Sequence, residues 1–410
     1  MSNYIVNAGD TFSSIARRQY GSEKHAGLIA RSNPGIAEPL VAGSTLIIPA
    51  RPGAPSDRAS TAPAGNPDEV GIFIDGKHFK YWQELQVVRS VDCVSSVIFT
   101  APFDADAANF RETFAPLSFK SIVVTVGGSP LFTGILIDVD PSVSESGKTV
   151  TVTAYATPGV LSDCTAPPSL YPELEYEGQT LPEIARTLST PFGIDIVYNG
   201  VPGAAFEWVA IEPTDTIMAF LTKLAAQRSR VITDTPSGGL LFQQSAAAGS
   251  PVAKLIQGEP PLLSVEPRFN PQQYYSHVTG LESSDVGTDG SQYTIRNSLL
   301  AGVLRPHTFV SSDVTNGDIP TATAAKMGRM YANAASYTAA VNTWRTKSGV
   351  LWAPNSTVVV QAPDAMIYSE YEFLIRSVRY LRTDTKTQAI LELVMPGAFQ
   401  GEIPETLPWQ

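Results

Sequence analysis

The sequence predicts an α+β fold that is mainly β, on three observations. After residue 69 most apolar residues recur at alternate positions in short runs separated by Asp-Gly or Gly-Gly pairs, which is the period and punctuation of antiparallel strands. Helical spacing with a recognisable cap is confined to a few stretches, two of them in the middle of the chain. A proline- and alanine-rich segment separates the first fifty residues from the rest. The expected organisation is a βααβ module over residues 1–50, a linker over 51–68, a β-barrel domain over 69–165, a small α/β domain over 166–255, a second β-barrel domain over 256–400 and a tail over 401–410.

In the first module, Tyr4, Ile5 and Val6 form a short β-prone run, Gly9-Asp10-Thr11 supplies a turn with an oxygen-bearing cap, and Ile15-Ala16 open a helical apolar stripe. Leu28-Ile29 belong to a second short helix that Asn33-Pro34-Gly35 must stop, because proline disfavours helical geometry in the residue before it. Leu46-Ile47-Ile48 return as a strand closed by Pro49. Together with Gly43-Ser44-Thr45, these residues resemble a LysM module. The resemblance implies a groove for N-acetylglucosamine-containing glycans between the first strand-helix loop and the second helix-strand loop. It maps the candidate glycan-binding residues onto Gly9, Asp10, Thr11 and Phe12 facing Asn33, Pro34, Gly35 and Ile36. The competing structural reading is that Asp10 and Thr11 cap one helix and Asn33 stops the other.

Residues 51–68 hold four prolines, two glycines and no large apolar side chain, so they cannot build a core and read as an extended, semi-stiff spacer. Beyond them the β texture begins. Gly71 to Phe73 and His78 to Trp82 flank Asp75-Gly76, the pair that a type I′ hairpin turn requires. Leu85 to Val91, Ser95 to Thr100, Ile122 to Val126, Leu131 to Val139 and Thr149 to Ala156 continue the series, with Gly127-Gly128 as a second hairpin turn. Six or seven such strands in about ninety residues imply a barrel or sandwich.

Residues 166–250 change rhythm. Thr180-Leu181-Pro182-Glu183 is a capping box ahead of Ile184, Ala185 and Leu188 at helical spacing, and Asp215 is expected to open a second helix carrying Ile217, Phe220, Leu221 and Leu224. Phe192 to Val197, Arg230 to Thr233 and Leu240 to Gln243 read as strands. In the last third, strands are expected at Leu262 to Phe269, Tyr274 to Leu281, Tyr337 to Thr346, Thr357 to Val360, Tyr371 to Leu381 and Gln388 to Val394, with one helix over Thr321 to Ala335. Polar loops around Ser283 to Gln292 and Ser311 to Asp318 are expected to be exposed connections and partner contacts.

With 410 residues, 43% hydrophobic and 16% charged, the chain is long enough for about three domains and is not a disordered polymer. A net charge of -11 without a Lys/Arg cluster argues against specific nucleic-acid binding and suits a wall that DNA slides past. No basic-plus-apolar leader and no run near eighteen apolar residues occurs, so neither export nor a membrane span is expected. Cys93 and Cys164 lack metal-ligand spacing and are expected to be two buried thiols.

A second resemblance covers most of residues 69–400. Ile74-Asp75-Gly76 followed by Trp82, then Leu131-Phe132-Thr133-Gly134, Leu161-Ser162-Asp163-Cys164, Pro191-Phe192-Gly193-Ile194, Phe373-Leu374-Ile375 and Leu391-Glu392-Leu393-Val394 resemble, in that order, the baseplate central-hub family of contractile-tailed phages of the phage Mu type. The resemblance implies that the two barrels are of the tail-tube kind. It also implies a homotrimer that forms a pseudo-sixfold ring and adapts the sixfold tail tube, or its initiator protein, to a threefold spike. Other baseplate proteins and peptidoglycan complete the expected partners, DNA is expected to pass through the ring, and the expected location is the virion tail baseplate, assembled in the host cytoplasm. Neighbouring barrels in a closed ring would also satisfy each other's open strand edges.

LysM modules often anchor cell-wall hydrolases, so a LysM-anchored peptidoglycan hydrolase is the alternative. A glycosidase needs a carboxylic acid of raised pKa in a cleft, commonly with a second carboxylate nearby. Glu173, Glu175 and Glu177 alternate but read as a solvated loop. His25, His78, His277 and His307 lie far apart without a zinc-peptidase motif, and no Gly-x-Ser-x-Gly nucleophile elbow occurs. Trp82, Trp208, Trp344 and Trp352 read as packing or interface anchors, and Gly127-Gly128 and Gly238-Gly239 as turns. No catalytic residue, metal or cofactor is expected.

Overall fold

The structure is a computed structural model that describes residues 2–7, 9–20, 26–31, 33, 36, 38–48, 66–145, 147–171, 173–246, 248–282, 291–311, 319–399, 404 and 406–410. The chain divides into two compact units, Met1–Ala62 and Pro63–Gln410. The expected helix stop at Pro34 and Gly35, most of the linker, and the loop residues 283–290 and 312–318 lie outside the described residues.

The first unit is built as β1 (Ser2–Ile5), α1 (Phe12–Tyr20), α2 (Ala26–Arg31) and β2 (Thr45–Ile48). β1 and β2 pair antiparallel from Ser2↔Ile48 to Ile5↔Thr45. Val6, Phe12, Ile15, Ala16, Ile29 and Leu46 form its core, so the apolar stripe of α1 packs inward as its spacing predicts.

The second unit is mainly β. It opens with β3 (Val70–Ile74), β4 (Lys77–Phe79), β5 (Glu84–Ser90), β6 (Ser96–Pro102), α3 (Ala108–Thr113), β7 (Ser121–Val126), β8 (Ser129–Ser144) and β9 (Gly147–Ala156). Asp75 and Gly76 at φ 48° and 73° form the β3–β4 turn, both left-handed as a type I′ turn demands. A middle section follows: α4 (Val160–Asp163), β10 (Glu175–Gln179), α5 (Leu181–Ser189), β11 (Ile196–Tyr198), β12 (Phe206–Ala210), α6 (Ile217–Gln227), β13 (Val231–Asp234) and β14 (Leu240–Gln243). The last section comprises β15 (Pro251–Ile256), β16 (Leu262–Phe269), β17 (His277–Glu282), β18 (Gln292–Arg296), β19 (Pro306–Ser311), α7 (Ile319–Ala334), β20 (Ala335–Val341), β21 (Thr357–Ala362), β22 (Ile367–Thr383) and β23 (Thr387–Val394).

Strands from both the first and last sections join one 13-stranded sheet, ordered β16-β20-β23-β22-β5-β6-β9-β8-β7-β3-β4, with β21 on β22 and β15 on β21. The seam is β5 against β22, from Ser377↔Ser90 to Thr383↔Glu84. One buried apolar cluster runs beneath both sides of that seam, from Ile72 and Phe99 to Tyr337 and Leu393. The middle section has a core of its own around Leu161, Ile184, Phe220, Leu224 and Phe242. It is tied to the sheet where Thr233 Oγ1 donates to the carbonyl of Ser90 (2.7 Å) and lies within hydrogen-bond distance of that of Cys93 (2.9 Å).

Several expectations need correction. The second middle helix starts at Ile217 with Thr216, not Asp215, as its cap: the amide of Ala219 donates to Thr216 Oγ1 at 3.3 Å. Asp215 instead pairs with Lys223 at 3.0 Å. Of the strand expected over Phe192 to Val197, only β11 forms, because Thr190–Phe192 with Pro191 is a tight 3₁₀ turn ended by left-handed Gly193. Glu175 and Glu177 sit on a strand rather than a loop. Cys93 is exposed and Cys164 half-buried, both unpaired, so the two expected buried thiols are not found. Trp344 and Trp352 are fully buried, whereas Trp208 is 57% exposed.

Candidate functional site

The candidate groove residues of the first unit are held by the turn between β1 and α1. Asp10 is buried, and its carboxylate is fully engaged by its own module. Oδ2 accepts from the Tyr4 hydroxyl (2.7 Å) and the Asn7 amide (2.9 Å), and Oδ1 accepts from Arg18 Nη2 at 3.2 Å. The amide of Asn7, the Tyr4 hydroxyl and the Arg18 guanidinium hold the Asp10 carboxyl below its ordinary range. Thr11 caps α1: the amide of Ser14 donates to Thr11 Oγ1 at 3.1 Å, and the amide of Thr11 donates to Ser14 Oγ at 2.9 Å. Phe12 is buried in the module core, and its amide donates to Glu38 Oε1. Asn33 is buried and donates from Nδ2 to the carbonyl of Ile29 at 2.8 Å, which satisfies an orphan acceptor at the end of α2. Ile36 packs half-buried against the core.

Gly9 therefore differs from its neighbours. It is exposed, has φ 85°, and no atom stands within 4 Å of where a Cβ would lie. Pro34 and Gly35 lie outside the described residues. Beside Thr11, the polar groups near the turn belong to residues that sequence reasoning did not select: Ser13, Ser14, Arg17 and Arg18 line a shallow depression with it at the start of α1. Their signal was present as hydrophilic positions on the outer face of a short helix, which composition alone cannot separate from an ordinary solvated face.

In the second unit, the residues weighed for catalysis do not converge. Glu173, Glu175 and Glu177 are exposed, and Glu175 Oε2 accepts from Trp208 Nε1 across the β10–β12 pair at 3.4 Å. His78 stacks on Phe73, His277 bonds Ser276, and His307 stacks on Tyr275 at 4.4 Å, where burial pushes its pKa down. His25 lies outside the described residues. Among the described residues, no three His, Cys, Asp or Glu side chains gather into a metal-sized group. Among the described residues, no helix is long and apolar enough to cross a membrane.

Comparison with known proteins agrees with this architecture. The LysM domain family matches residues 4–49. The second domain of gp44-like baseplate hub proteins matches residues 158–244, and the fourth domain of the Mu phage baseplate assembly protein GpP matches residues 320–402. The baseplate hub protein gp44 of Escherichia phage Mu is 25% identical over 330 residues, which cover 77% of this chain and 84% of that protein. The 43 kDa tail protein of prophage MuSo2 from Shewanella oneidensis superposes with TM-score 0.69 and 25% identity, covering 81% of this chain and 99% of that one. The tail protein of Neisseria meningitidis MC58 shares the fold, with TM-score 0.69 and 22% identity over 82% of this chain and 98% of that one.

Fold and matches together define a phage tail protein of the baseplate-hub type that carries an N-terminal LysM domain. More particularly, the chain is a homologue of the baseplate hub protein gp44 of phage Mu, a component of the virion tail baseplate.

Proposed function

We propose that the chain is the central hub of a contractile-tail baseplate, a structural protein whose three copies close a ring joining the sixfold tail tube to a threefold spike. The observation that carries this reading is the match to the Mu hub protein across most of both chains. The sheet supports it physically. Its main order ends at β4 and β16 and its side branch at β15, and a strand at the end of a sheet presents backbone donors and acceptors that another chain can pair. Closing a ring head to tail uses two different surfaces on every copy.

The LysM domain would contact peptidoglycan or a baseplate neighbour. Because Asp10, Thr11 and Asn33 spend their polar atoms inside the module, the reading assigns glycan contact to the exposed backbone at Gly9 and the hydroxyl-rich rim of α1, with the other candidate residues shaping the groove. Light scattering of the purified chain should give three times the 43.8 kDa chain mass. A monomer at high concentration in the presence of its spike would overturn the ring. Zymography on purified sacculi should show no clearing, whereas clearing would establish the LysM-anchored hydrolase instead.

A further inference from the structure

The last residues of the chain do not hang from the fold; they lie in a groove. β22 begins at Ile367, yet its pairing with β23 begins only at Leu374↔Val394. Along the preceding stretch β21 covers one edge of β22 and leaves the other without a strand partner among the described residues. That open edge is met by the terminal segment. The amide of Tyr368 donates to the carbonyl of Pro408 at 3.3 Å, and the Tyr371 hydroxyl donates to the carbonyl of Thr406 at 3.0 Å. The segment is folded on itself, since the amide of Leu407 donates to Gln410 Oε1 and the amide of Gln410 to the carbonyl of Leu407, each at 3.0 Å.

Beside it lies an apolar cavity of about 410 Å³ walled by Phe269, Tyr274, Tyr331, Met366 and Met395, with Leu407 and Trp409 on the remaining side. Trp409 meets Phe269 edge-on, with centroids 5.0 Å apart and planes at 80°. This is the geometry in which aromatic pairs attract beyond simple burial. The seat is incompletely filled. A cavity of that size next to both anchoring side chains means contacts not made, and Trp409 is itself only half-buried. Met366 on the cavity wall is left-handed at φ 59° and 48% exposed, a conformation that bulky residues rarely hold.

We propose that this groove is a peptide-docking site and that residues 406–410 are its built-in, releasable ligand. The recognised chemistry is that of a short turn in which a leucine and a tryptophan flank a proline. The apolar side chains enter the aromatic and methionine-lined seat, the carbonyl of Pro408 accepts from the β22 amide of Tyr368, and the carbonyl of Thr406 accepts from the Tyr371 hydroxyl. The tether keeps the segment at an effective concentration on the order of millimolar, so a weak contact suffices to hold it in the groove. Residues 406–410 lie beyond the stretch matched by the hub-domain family. The inference is independent of the ring.

The test is a fluorescein-labelled peptide of residues 406–410 titrated into the chain ending at Phe399, followed by anisotropy. Saturable binding is expected, weakened at least tenfold by Trp409→Ala in the peptide. The full-length chain should bind the same peptide at least tenfold more weakly than the truncated one. Absence of binding up to millimolar chain, with the truncated chain folded by circular dichroism, overturns the proposal; so does equal binding by the full-length chain. Should truncation unfold the protein, full-length Trp409→Ala takes its place. Its weakened strap should raise peptide affinity above wild type, and unchanged affinity overturns the proposal equally.

Discussion

Trp344→Ala should be among the most destabilising single substitutions in the second unit, and the structure says by how much. Trp344 has no exposed surface. Its indole N–H points at two main-chain acceptors, the carbonyl of Gln388 at 2.9 Å and that of Leu381 at 3.2 Å, one on each strand of the β22–β23 hairpin. Its ring packs edge-on against Tyr380 at 5.3 Å, and the Tyr380 hydroxyl in turn donates to the carbonyl of Trp352. Truncating a buried tryptophan to alanine costs about 3–5 kcal/mol from lost transfer energy and the cavity left behind. Leaving a buried acceptor without its donor adds about 1–3 kcal/mol. A loss of at least about 4 kcal/mol follows, equivalent at roughly 2–4 °C per kcal/mol to a fall in melting temperature on the order of 10 °C. Trp344→Phe keeps most of the ring and loses only the donor, so it should fall between wild type and alanine. Trp208→Ala, on an exposed side chain, is the control and should move the transition by no more than about 1–2 °C. Thermal unfolding followed by far-ultraviolet circular dichroism decides the matter. If Trp344→Ala melts within 2 °C of Trp208→Ala, the claim that these indoles lock the hairpin into a shared core is wrong.

Three further outcomes are expected. Burial pushes the Asp234 carboxyl above its ordinary value, against the partial relief of a hydrogen bond from the Ser95 amide. The folded state therefore holds this proton more tightly than the unfolded state does, so the group's contribution is fully present below its unfolded value near 3.8 and is lost as pH rises through the raised folded value. Asp234→Asn should flatten the decline in stability above pH 4, and an unchanged pH profile in urea titrations would remove Asp234 as its source. At Gly134 a Cβ would stand 2.0 Å from the carbonyl oxygen of Tyr155 in the neighbouring strand, so Gly134→Ala should cost about 1–3 kcal/mol or more through forced separation of β8 and β9; a denaturation midpoint equal to wild type would contradict the pairing. In the LysM domain, Asp10→Ala should abolish retention by sacculi through loss of the turn, visible as lost near-ultraviolet dichroism in the isolated fragment 1–62. Ser13→Trp, on the exposed rim of α1, should abolish retention with the fold intact, and retention by that variant would place the glycan elsewhere.

How much of this was legible depended on whether the determining interactions were local. Asp75-Gly76 and Gly127-Gly128 could be read because hairpin turns need left-handed residues, and all four have positive φ. The capping box could be read because its partners stand three residues apart: Glu183 Oε2 accepts from the Thr180 amide at 2.8 Å. α3 escaped notice because none of its residues is buried and it presents no apolar stripe. β18 escaped for a related reason, since its exposure pattern lacks the alternation of a half-buried strand. The β5–β22 seam joins residues nearly three hundred positions apart, and no periodicity encodes such a pairing. At the candidate site the sequence supplied the turn and its capping residues, but not how those side chains are used. That Asp10 is held by Tyr4, Asn7 and Arg18 is a property of the folded turn, in which three elements meet, rather than of any short motif.

Imaging the purified chain by electron microscopy tests the hub ring most directly. Class averages should show closed rings of three copies with six similar lobes around an open centre, wide enough for a tube to continue from one face. Single particles the size of one chain at every concentration, or open chains that never close, would contradict it.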